Sequence, residues 1–199
     1  MPKSRPIGPP GLFALLTTLL ITSAVVLTSG CARVGGQPAA TPAPTATTAR
    51  TLALPETVLG LPRSPKPELT RVSRSSLERL RESAADVTSS VDGAYTGRAR
   101  TADAVVVSGV SGRFTDLDAT LTRVLRPYPV TTFRTVEYGR FNGEARCGRG
   151  RTENKRYLTV CGWADPQTAG VVAFISARRQ LELTTEFFEI RDRLDGTTG

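Results

Sequence analysis

Two cysteines, Cys147 and Cys161, stand symmetrically about Asn154, inside the polar stretch Gly150-Arg151-Thr152-Glu153-Asn154-Lys155. An antiparallel hairpin turning near Asn154 places them directly opposite each other, at a separation that a disulfide bridges. In the chain-entropy picture, closing a loop of this size contributes ~3 kcal/mol. The competing chemistry is a catalytic or metal-binding thiol pair. The chain has 0 histidines, so the commonest general acid/base and the commonest metal ligand are missing together. No group of residues nominates a catalytic, cofactor or metal site.

Basic side chains crowd the same turn. Arg149, Arg151, Lys155 and Arg156 surround Glu153, with Arg146 close by. One reading is a polyanion contact, to anionic lipid headgroups or wall polymer; the other is a solvated hairpin tip. No nucleic-acid recognition motif accompanies the formal charge of +8, and nucleic acid is not expected as a partner. Trp163, two residues beyond Cys161, reads either as a core residue packed beside the bridge or as a ligand-stacking ring. Asp165, before Pro166, reads as a turn residue whose carboxylate binds backbone amides. A catalytic role for it would need a second carboxylate or base, and none is nominated.

The third cysteine belongs to a different pattern. Lys3 and Arg5 form a positive start, Gly11 to Leu27 is apolar, and Thr28-Ser29-Gly30 leads into Cys31. Positive, apolar and small-residue regions in that order are the parts of an export signal. With a cysteine at the cut point the segment resembles the bacterial lipobox, which implies lipidation of Cys31 and a position at the outer face of the cell membrane. Two acyl chains suffice for stable tethering. The alternative is an uncleaved single-pass anchor, since the apolar run reaches the lower end of the ~17–25 residues a spanning helix needs.

These residues need elements to hold them. Residues 32–66 carry Pro38, Pro42, Pro44, Pro55, Pro62 and Pro65 among Thr, Ala and Gly. Such a composition buries too little apolar surface to offset ordering entropy, so a disordered linker is expected, spanning ~30–35 Å as a flexible coil. From residue 67 to 199 the pattern is that of a folded domain. Ser75-x-x-Glu78 reads as a capping box, opening a helix whose face is Leu77, Leu80, Ala84, Val87 and Val91, stopped at Asp92-Gly93. A strand is expected over Ala104 to Val110, then a helix from Asp116 with Leu117, Leu121, Val124 and Leu125 facing inward. Strands follow at Val130 to Phe141, Arg156 to Trp163 and Gly170 to Ser176. A last amphipathic helix, from about Arg179 to Leu194, buries Leu183, Phe187, Ile190 and Leu194 and stops at Gly196. Leaving out the first helix, the order is β-α-β-β-β-α. The expected fold is α+β, a small antiparallel sheet with helices on one face.

Gly143-x3-Cys147-Gly148, Cys161-x-Trp163-Ala164-Asp165 and Gly170-Val171-Val172 together carry a resemblance. The stretch from Tyr138 to Leu194 is similar to an actinobacterial family of exported, membrane-anchored proteins with no assigned biochemical activity. This chain departs from that pattern at Gly162, where the family has Ala, and at Pro166-Gln167, where a histidine is common. The resemblance implies address and fold, not chemistry.

Three classes of function follow. The first is a binding or interaction domain displayed at the cell surface by a lipid anchor. The second is an accessory subunit of a membrane complex, with a membrane-protein partner. The third is a cell-wall hydrolase using a carboxylate or serine. The anchor, spacer and small disulfide-bonded domain favour the first, and no enzymatic activity is expected.

Overall fold

The computed structural model describes residues 50–99, 101–137, 142–180 and 182–196. Cys31 and the apolar run before it lie outside the described residues. Among the described residues no helix is long and apolar enough to cross a membrane.

The architecture is α+β. A short hairpin of β1 (Thr57–Val58) and β2 (Leu61–Pro62) precedes α1 (Pro67–Ser83), β3 (Ala85–Thr96) and β4 (Ala104–Arg113). Then come α2 (Leu117–Leu125), β5 (Val130–Val136), β6 (Glu144–Arg151), β7 (Tyr157–Ala164), β8 (Thr168–Ser176) and α3 (Thr184–Leu194). The six long strands form one sheet in the order β3-β4-β8-β7-β6-β5, antiparallel throughout. The last four strands are a meander, and the β3–β4 hairpin joins it through β4 against β8.

The inner strands read as near-continuous apolar runs because both of their faces are covered. On one face Leu77 and Leu80 of α1 and Leu121, Val124 and Leu125 of α2 pack on Val106, Val110, Val160, Val171 and Ala173. On the other, Phe187, Ile190 and Leu194 of α3 pack with Leu52, Val58 and Leu61 on Val105, Val107, Trp163, Val172 and Phe174. Helices therefore lie on both faces. The expectation of one covered face holds for α1 and α2 and is corrected for α3.

Two further expectations are corrected. The linker assigned to residues 32–66 does not extend through residues 50–66, which form a strap along the α3 face of the sheet. Ala53 N–H donates to the Leu194 carbonyl (2.8 Å) and Leu52 N–H to Ser89 Oγ (2.9 Å). Further along, Tyr95 Oη donates to the Pro55 carbonyl (2.8 Å) and Ser64 N–H to Ala94 O (2.8 Å). Leu52, Val58 and Leu61 are buried, and these few anchors offset the proline-rich composition. The folded domain thus begins by Arg50 rather than at residue 67.

The first helix also lies elsewhere. Ser75 is inside α1, accepting from Arg79 Nη1 at 2.8 Å. The helix begins at Pro67, whose missing N–H costs nothing in a first turn. Ala84, Val87 and Val91 are not a helical face, because residues 85–96 are strand β3, and Asp92-Gly93 lies within it.

The expectation for α2 matches: Asp116 caps it, its side chain accepting from Ala119 N–H at 2.8 Å. Gly196, at φ +65°, follows the last turn of α3.

Candidate functional site

The β6–β7 hairpin forms in the register its spacing implies. Cys147 pairs with Cys161 across the ladder, their Cα atoms 4.1 Å apart, and the two are disulfide-bonded. The turn closes at residues 152–155, where Lys155 N–H donates to Thr152 O (2.9 Å) and Lys155 takes φ +60°.

The four basic residues near the turn do not form one patch. Arg149 and Arg151 share the disulfide face of β6. Arg149 approaches Glu182 at 3.5 Å. Arg151 lies over the Tyr157 ring at 4.0 Å and donates to the Lys155 carbonyl at 2.8 Å. Arg156 turns to the opposite face and pairs with Asp103 in the β3–β4 turn. Lys155 is exposed at the tip. Much of the expected polyanion charge is thus met internally, a feature invisible until the partners Glu182 and Asp103 are placed. Arg146 likewise pairs with Asp118 and Glu144.

Trp163 is a core residue, about 1% exposed. Its ring is tilted against Phe187 with centroids 6.1 Å apart, and Nε1–H donates to Thr168 Oγ1 at 3.2 Å. Asp165 is the expected turn residue and more. Its Oδ1 accepts from the amides of Gln167 and Thr168, both at 2.8 Å, and its Oδ2 from Thr168 Oγ1 at 2.8 Å. Arg50 Nη1 at 3.0 Å and Arg191 Nη2 at 3.4 Å complete its shell. Arg50 also pairs with Asp195. Burial pushes the Asp165 carboxyl pKa up, but those amides, the Thr168 hydroxyl and Arg50 outweigh it and bring it below the usual carboxylate range. This ionic clasp fastens the start of the strap and the end of α3 to the β7–β8 turn.

The site that the residue types did not nominate is a groove at the other end of the sheet. It encloses about 940 Å³, near the upper end of the ~300–1,000 Å³ common for small-molecule sites. α2 is only 9 residues long and leaves part of β7 and β8 uncovered. Its floor is Ala104, Val106, Leu158, Ala173 and Ile175, the α1-facing positions of three inner strands. Leu69 and Val72 of α1 form one wall, and Val72 is one of two large apolar side chains left exposed, at 40%. Pro129, Tyr128 and the hairpin tip form the other wall. Tyr128 Oη is engaged with Ser76 Oγ at 2.7 Å.

Charged groups ring the mouth: Lys66, Arg71 and Arg98 against Glu68 and Glu153, with Arg156 held by Asp103. Asp103 Oδ2 also accepts from Ala177 N–H at 2.7 Å, which fixes that corner. Of the four basic residues singled out from the sequence, Arg156 alone lines the groove. A helix too short to cover its sheet was the one available signal, and it requires the strand order to be read.

Comparison with known proteins returned no match at a significant level: no family model, no curated protein and no solved structure.

Proposed function

We propose that the chain is a membrane-tethered extracytoplasmic binding module, anchored through a lipidated Cys31, that takes its ligand in the groove between α1 and the β6–β7 hairpin. The observation that carries the binding reading is the uncovered apolar floor with charged side chains at its mouth. A sheet that is sealed elsewhere on both faces leaves this area open. Such a concave apolar surface with few polar groups at its edge is the usual form of a ligand site. The tether rests on the order Lys3 and Arg5, apolar run, Gly30-Cys31.

Two measurements test this reading. Mass spectrometry of membrane-extracted protein is expected to find a mature chain beginning at an acylated Cys31; an intact Met1 or Pro2 terminus would remove the lipid anchor. Thermal-shift screening of cell-envelope fractions is expected to find one that stabilises the protein, with the effect lost in Val72→Glu. If no stabilising fraction is sensitive to that substitution, the groove is not the ligand site.

A further inference from the structure

The chemistry of the groove narrows its ligand, and this step rests on the binding reading above. The floor comes from β4, β7 and β8, each hydrogen-bonded to a neighbouring strand on both sides. Its backbone amides and carbonyls are therefore committed to the ladders, and its side chains are aliphatic. The Tyr128 hydroxyl in the wall is already bonded to Ser76. A peptide laid on this floor would bury amides with no partners, at a cost of roughly 1–3 kcal/mol each. A methylene chain carries no such groups.

At the mouth, Lys66, Arg71 and Arg98 make no ion pair among the described residues, and they outnumber Glu68 and Glu153. Arg156 also keeps a buried Nε with no acceptor. An anionic head is favoured there over a cationic one.

We propose that the groove binds one long-chain fatty carboxylate from solution, its chain on Val106, Leu158 and Ala173 and its head among Lys66, Arg71 and Arg98. Residues 50–196 hold the whole sheet and both cores, so a chain beginning at residue 46 is suitable for the test. Calorimetry with monomeric palmitate is expected to give one equivalent bound. Lys66→Ser and Arg98→Ser are expected to weaken it about fivefold each, since a charge near an opposing head contributes on the order of a factor of five. Val72→Glu, at an exposed position of the wall, is expected to weaken it at least about tenfold. Hexadecyltrimethylammonium, with the same tail and an opposite head, is expected to bind more weakly than palmitate.

No palmitate binding, equal affinity for the two heads, or binding indifferent to Val72→Glu would each overturn the proposal. So would association with phosphatidylglycerol vesicles in the absence of monomer uptake, which would point to surface charge instead. If palmitate fails while another envelope component stabilises the protein in a Val72-dependent way, the fatty-acid assignment falls and the binding-module reading stands.

Discussion

Trp163 lies directly across Gly170, its register partner on β8, so that a Cβ at residue 170 would overlap the six-membered part of the indole. The ring reaches as far as Gly109 on β4, the next strand along. Two glycines in adjacent strands thus make the bed for the only tryptophan in the chain.

Gly170→Ala is expected to destabilise the domain by ~1–3 kcal/mol, the usual cost of overpacking a closed core. The melting temperature should fall by several degrees. In a Trp163→Phe background the same substitution should cost clearly less, and a thermodynamic cycle of the four proteins measures the difference. Equal costs in both backgrounds would show that the ring is not the obstacle.

The clasp at Asp165 predicts an acid limb in the stability curve. Its folded pKa is depressed, so its contribution is fully present above the unfolded carboxylate value of about 3.9 and is lost as pH falls through the lower folded value. Asp165→Asn should lower stability at neutral pH by ~3–5 kcal/mol, because it leaves Arg50 and Arg191 with one buried carboxylate fewer. The difference from wild type should shrink below about pH 4. Urea titrations at pH 7 and pH 3 check this, and a difference independent of pH would remove the carboxylate from the explanation.

The strap gives a third test. Leu61 is buried in the α3-side core, so Leu61→Ala should cost ~2–4 kcal/mol. A substitution in a detached linker would cost nothing measurable. Denaturant midpoints of the two proteins decide between these outcomes.

Alkylation of oxidised protein should label neither Cys147 nor Cys161. Reduction should lower the melting temperature by several degrees without abolishing the fold, because β6 and β7 stay paired along their whole length and the sheet carries two cores. Labelling of either thiol before reduction would contradict the bond.

What was legible in the sequence was local. Asp116 before an apolar stripe announces α2, and Asn154 midway between two cysteines announces a hairpin and its register. β3 was not legible, because its outer residues Ala85 to Thr88 are exposed. Leu77, Leu80, Ala84, Val87 and Val91 happen to fall at helical steps across the α1–β3 junction. The strap was hidden by proline and threonine, since composition averages over the few leucines and valines that dock. The groove was not legible either: it depends on which strands lie side by side beneath a short helix, and no spacing along the chain encodes that.

Arg50 enters the domain at the Asp165 end of β7, while the groove opens beyond Tyr157 at the other end of that strand. The intervening 8 residues of β7 span ~26 Å. Whatever precedes Arg50 therefore delivers its pull to Asp165 and Asp195, and the load passes into the β7–β8 turn and the last turn of α3. The groove stands off this line of force, at the pole facing away from the point of attachment. Tension on the leading segment can strip the strap from its clasp without first deforming the surface where a ligand would sit.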